Sequence, residues 1–106
     1  RSFYLGKKIK ILLEKWKNKF PDRIPFISGK GMVWAIFISK PNSNELDANF
    51  TDELVEKVMR KGVYSIRTGC GTIKFGAPLT ISEEAIEESI EVYIETMDEM
   101  IRNVNQ

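Results

Sequence analysis

Histidine is absent from this sequence, and cysteine occurs once, as Cys70. No internal disulfide can form, and neither a His/Cys zinc site nor a Ser/His/Asp triad can be assembled. Long apolar runs are lacking too. The longest, residues 32–38, falls far short of the roughly 18 needed to span a bilayer, and the start of the chain has no signal-peptide pattern. A cytoplasmic protein with no membrane association is therefore expected. Net charge of either sign is also small, +1 overall, which argues against nucleic acid as the main partner.

What is present is the composition of an ordinary globular protein: 42% hydrophobic and 29% charged over 106 residues, enough for a single core. The charges are unevenly placed. Residues 1–20 carry Arg1, Lys7, Lys8, Lys10, Lys15, Lys17 and Lys19 against Glu14 alone, whereas residues 83–102 carry seven Glu and one Asp against Arg102 alone. One helix is basic and another acidic. They read as two solvated faces able to attract each other modestly, ahead of a basic surface for an anionic partner.

Leu5, Ile9, Leu12, Leu13, Trp16 and Phe20 recur at steps of three and four, one buried helical face that Pro21 brings to an end. After a connection containing Pro25 and the Gly29/Gly31 pair, residues 32–38 form a short apolar run rich in β-formers and predict a central strand covered on both faces. Residues 40–49 are polar and turn-rich. Thr51 is the expected N-cap of a second helix, with Phe50 and Val55 as its hydrophobic staple and Gly62 at its end. Residues 63–67 and 72–76 alternate around Thr68, Gly69, Cys70 and Gly71, a hairpin pairing 67 with 72 and 66 with 73. That register places Tyr64, Ile66, Ile73 and Phe75 on a core face and Ser65, Arg67, Thr72 and Lys74 on a polar one. Ser82, followed by Glu83 and Glu84, caps a last helix with an Ile86, Ile90, Tyr93, Ile94, Met97 and Ile101 stripe. The expected fold is α+β in the order α-β-α-β-β-α, a small, mostly antiparallel three-stranded sheet with helices packed on one face.

Three stretches in order carry a resemblance: Gly29-Lys30-Gly31-Met32-Val33-Trp34-Ala35-Ile36, then Met59-Arg60-Lys61-Gly62-Val63, then Gly71-Thr72-Ile73-Lys74-Phe75-Gly76-Ala77-Pro78-Leu79-Thr80-Ile81-Ser82-Glu83-Glu84. Together they resemble the C-terminal region of class III, fold-type I, pyridoxal-phosphate-dependent aminotransferases. The resemblance implies that residues 1–106 are one small domain of a larger enzyme, with residues 1–20 as the connecting helix. It implies a large pyridoxal-phosphate-binding domain and a homodimer partner, and an amino donor and an oxo acid as small-molecule substrates. The Schiff-base lysine, the aspartate facing the pyridine nitrogen and the phosphate-binding turn all belong to the large domain. This chain alone is expected to hold no cofactor and to supply no catalytic residue.

The resemblance also turns the polar hairpin face toward the substrate, making Lys74 and Arg67 the candidate substrate-binding residues. Family members acting on acetylornithine, ornithine or 4-aminobutyrate carry an arginine where this sequence has Lys74, and lysine offers a point charge in place of a planar fork. Either Lys74 meets a carboxylate more loosely, or it is a surface residue and the carboxylate is held elsewhere. The Lys-Phe pattern is similar to members acting on diamino acids. Gly69-Cys70-Gly71 reads as a flexible loop with an incidental cysteine. The alternative for the whole chain is a free-standing split βαβ-type binding module, an architecture that hosts many functions.

Overall fold

The computed structural model describes residues 2–31, 33–63, 66–67, 71–76 and 82–104. The first amphipathic stretch forms α1 (Ser2–Lys19) and ends before Pro21, as its periodicity predicts. A hairpin follows, β1 (Phe26–Lys30) and β2 (Val33–Phe37), in which Lys30 pairs with Val33 and Gly31 takes a φ of 62°. Helix α2 (Ala48–Arg60) leads to β3 (Ile66–Arg67) and β4 (Thr72–Gly76), and α3 (Glu83–Val104) comes last in the order of elements. The strands build one antiparallel sheet in the order β1-β2-β4-β3.

The α+β architecture is the expected one, an antiparallel sheet with helices on one face. The sheet gains a strand, because residues 26–30 pair with β2 where the sequence reads as a connection. Its Ser28, Gly29 and Lys30 are poor strand formers, and the ladder to β2 rather than intrinsic preference makes this segment a strand. Helix α1 lies against β1 and β2 and α2 against β4, while α3 packs on both other helices. One core results, in which Leu5, Leu13, Trp16, Ile36, Leu54, Val58, Ile73, Ile90 and Met97 are buried. The Trp16 and Tyr93 rings pack tilted with centroids 5.1 Å apart, and Trp16 Nε1 donates to Met97 Sδ at 3.3 Å, which ties α1 to α3.

Three sequence expectations are corrected. Helix α2 begins at Ala48 with Asp47 as its N-cap, the Asp47 side chain accepting from Phe50 N; Thr51 is buried inside the first turn with its Oγ1 donating to Asp47 O at 2.8 Å. Asp47 outcompetes Thr51 because its carboxylate also meets a buried cation, described below. The β3–β4 register is offset by one residue from the expected one, Ile66 pairing with Lys74 and Arg67 with Ile73. The turn between the two strands thus absorbs one residue more than the expected pairing allows. The central strand β2 is covered on one face only: Trp34 and Ile36 are buried, whereas Val33 stays 49% exposed. Gly62, by contrast, ends α2 as expected, with a φ of 92° and its N–H donating to Met59 O. Ser82 caps α3, its Oγ accepting from Ala85 N at 3.1 Å. Tyr64, Ser65, Thr68, Gly69, Cys70 and residues 77–81 lie outside the described residues.

Candidate functional site

Alternation along β1, β2 and β4 gives the sheet two chemically different faces. The inward rows, Ile27–Ile36–Ile73 and Gly29–Trp34, meet the helices. The outward rows are Phe26–Phe37–Thr72, Ser28–Ala35–Lys74 and Lys30–Val33–Gly76. None of the described helices covers this second face, and Phe26 on it is 51% exposed. Phe26 and Phe37 stack across the ladder with ring centroids 4.3 Å apart. Lys74 stands in the middle row beside the small Ala35, exposed. The three strands carry no acidic residue, so the face combines an apolar floor with the positive charges of Lys74 and Lys30.

Such a surface can attract a carboxylate through a point charge while apolar walls hold carbon atoms alongside it. Among its described residues there is no carboxylate to act as a general acid or base. Of the two sequence candidates, Lys74 is on this face as expected, with Thr72 beside it. The backbone of Arg67, on the outer strand, pairs with Ile73.

Every described lysine is exposed or half-buried. Lys8, Lys40, Lys57 and Lys61 each lie within ion-pair distance of a glutamate. A lysine that carries pyridoxal phosphate needs an enclosed, tuned setting, so none of the described lysines fits that role. Among the described residues no group of His, Cys, Asp and Glu is arranged to hold a metal ion. No described helix is long and apolar enough to cross a membrane.

The charge asymmetry between the first and last helices is met within the molecule. Lys8 Nζ lies 2.7 Å from Glu87 Oε1, and the groove between α1 and α3 is lined by Lys8, Lys15, Glu87 and Glu91 around Leu12, Ile90 and Ile94. The hydrogen bond to Glu87 raises the Lys8 pKa, and a hydrogen bond to Glu83 raises that of Tyr4.

A second cluster went unread in the sequence. Arg23 is buried, its Nε donating to Ser39 O at 2.8 Å and its NH2 group to Asp47 Oδ2 at 3.2 Å, with the guanidinium 4.1 Å from the Phe50 ring centroid. Burial lowers its pKa, and the Asp47 and Asp22 carboxylates oppose that shift. The only trace in the sequence is an aspartate three residues ahead of Phe50, the spacing of an N-cap whose carboxylate has a second oxygen to spare.

The sequence matches no protein-family profile. It is 31% identical over 93 residues to the mitochondrial acetylornithine aminotransferase of Saccharomyces cerevisiae, covering 84% of this chain and 20% of that protein. Against the mitochondrial acetylornithine aminotransferase of Candida glabrata it is 27% identical over 96 residues, covering 90% of this chain and 20% of that protein. The fold superposes on acetylornithine aminotransferase from Elizabethkingia anophelis with a TM-score of 0.77 at 26% identity, over 91% of this chain and 23% of that one. It superposes on lysine aminotransferase from M. tuberculosis with a TM-score of 0.82 at 22% identity, over 92% of this chain and 21% of that one. The chain thus spans about a fifth of the length of the curated relatives it matches. Its similarity is to class III, pyridoxal-phosphate-dependent aminotransferases, over a fragment of a longer chain.

Proposed function

We propose that this chain is the C-terminal small domain of a pyridoxal-phosphate-dependent aminotransferase, and that its open sheet face closes over a substrate site carried by a larger domain. The observation that supports this is the one-sided sheet. Residues 33–37 are apolar throughout, as in a strand buried on both sides, yet only the Trp34 and Ile36 side is covered. The other side presents a half-exposed aromatic pair with Lys74 one row away. The cofactor supplies the electron sink of transamination. Its attachment is assigned to the larger domain, because no described lysine here fits it.

In this reading the domain excludes water above the substrate, and the Lys74 ammonium meets a carboxylate of the amino donor or of the oxo acid. A point charge accepts a carboxylate in several orientations, which suits an ω-amino or diamino acid whose distal end must also be accommodated. Arg67 is the second proposed substrate contact, on the strand paired with β4. A homodimer partner and the larger domain are the proposed macromolecular partners. No observation favours the free-standing module, since the matches described above are all to portions of aminotransferases.

Steady-state kinetics of Lys74→Ala in the whole enzyme test the assignment. Loss of a charge-assisted contact worth about 1.5–3 kcal/mol corresponds to a rise of roughly ten- to a hundredfold in KM for the carboxylate substrate. Unchanged constants in both half-reactions would show that Lys74 is only a solvated strand residue.

A further inference from the structure

Among the described residues Arg23 is the only fully charged side chain that is buried, with 7% of its surface exposed. Taking a guanidinium out of water costs several kcal/mol unless partners offset it. Its partners lie on segments that are distant in sequence. The side chain joins Ser39 O, just after β2, to Asp47, the N-cap of α2. The backbone adds to this, because Arg23 O accepts from Ser39 N at 2.7 Å and from Ser39 Oγ at 3.3 Å.

The same knot reaches the start of β4. Asp47 N donates to Ile38 O at 2.9 Å, and Ile38 N donates to Gly71 O at 2.8 Å. Gly71 has a φ of 77°, and a Cβ built there would fall 2.6 Å from Leu46 Cβ and 3.0 Å from both Asp47 N and Ile38 O. The residue that leads into β4 is therefore seated directly on the segment that Arg23 and Asp47 hold. Three residues later comes Lys74, opposite Ala35. A slip of one residue at Gly71 would exchange Lys74 with its neighbours and turn the ammonium from the open face to the core.

We infer that the buried Arg23–Asp47 pair is a positioning site: it fixes where β4 begins and so holds Lys74 on the open face. What Lys74 meets there rests on the function proposed above; the placement of β4 does not. Lysine at position 23 keeps the charge but cannot donate to Ser39 O and Asp47 through one planar group.

Amide exchange followed by NMR on the 106-residue chain tests the inference. Arg23→Lys is expected to speed exchange at the Ile38 and Asp47 amides at least tenfold while leaving the α3 amides of Ile90 and Tyr93 at wild-type rates. Unchanged rates at Ile38 and Asp47 would overturn the inference, and so would a uniform acceleration at all four amides, which is the mark of general destabilisation. Should Arg23→Lys fail to fold, Asp47→Asn is read at the same amides by the same criteria, since it keeps the capping acceptor and removes the charge. In the whole enzyme the variant is expected to raise KM for the carboxylate substrate at least threefold with kcat within twofold. Local loss of protection with an unchanged KM would uphold the positioning site and remove Lys74 from substrate binding.

Discussion

At Gly6 the missing side chain is itself the contact. A Cβ there would fall 2.7 Å from Gly31 O and 3.0 Å from Gly31 C, main-chain atoms that cannot swing aside. On a free helix, alanine would be favoured over glycine by about 1 kcal/mol. Here overpacking of about 1–3 kcal/mol opposes that gain, and a backbone obstacle places the cost at the upper end. Gly6→Ala is therefore expected to lower stability by about 1–2 kcal/mol, seen as a lower urea midpoint at unchanged slope. A midpoint equal to or above wild type would mean that α1 rides clear of the turn. Lys74 is the opposite case: exposed on its strand, it is expected to be replaceable by alanine within about 0.5 kcal/mol. That exposure was legible, because alternation within one strand is a local property. The place of Arg67 was not, because the register between strands depends on how many residues the turn absorbs. Pairing Arg67 with Ile73 leaves five residues between them where the sequence reading allowed four.

Among the elements, α2 shows why caps are hard to read from one dimension. Asp47 and Thr51 are both good capping residues, and the winner is settled by Arg23, far away in sequence. Asp47→Ala removes both the cap and the partner of a buried cation, and is expected to cost about 2–4 kcal/mol. Asp47→Asn retains the acceptor for Phe50 N and is expected to cost about 1–2 kcal/mol. Denaturant titrations of the two variants check the order, and an asparagine variant less stable than the alanine one would refute it. Helices α1 and α3 were legible as elements from their apolar periods, and their opposite charges correctly suggested neighbours. Their contact carries a pH signature. Lys8 is raised by Glu87, so its contribution is complete below the ordinary lysine value of about 10.4 and is lost as pH rises through the folded value. Tyr4 is raised by Glu83, so its contribution is likewise complete below about 10 and lost on the alkaline side. Wild type is thus expected to lose more Tm between pH 9 and 11 than a Tyr4→Phe, Lys8→Met double variant. Parallel losses would show that neither contact persists in solution.

For the molecule as a whole, the informative disagreement is at residues 33–37. Their unbroken apolar character called for cover on both sides, and the folded chain provides it on one. In the function proposed above, a larger domain supplies the missing cover, a relation that no local pattern in this chain spells out. By itself the chain is expected to show dye-binding apolar surface or self-association through this face, as contiguous exposed patches of several hundred Å² do. Replacing Phe26 and Val33, about half-exposed, with Ser and Lys is expected to abolish both while changing stability little. Sedimentation and dye fluorescence compare the two forms, and a strictly monomeric, dye-silent wild type would contradict the expectation. The register of β4 against β2 and the Arg23 knot were invisible for the same reason: each is a relation between distant segments, without a local pattern to announce it.

The position of α3 has a consequence in time. It comes last in the order of elements, yet α1 and α2 both pack on it, and it supplies Tyr93 and Met97 to Trp16 from about eighty residues away. Nascent chain that has left the ribosome as far as β4 holds two helices and a sheet whose shared core lacks a wall, with Trp16 waiting for its neighbours. Closure of the core is then a single late event with high contact order, set by the arrival of one acidic helix. Until that helix docks, the emerging chain exposes the apolar faces of α1 and α2 that α3 covers, together with the open face of its sheet, and this interval is when chaperones would find it.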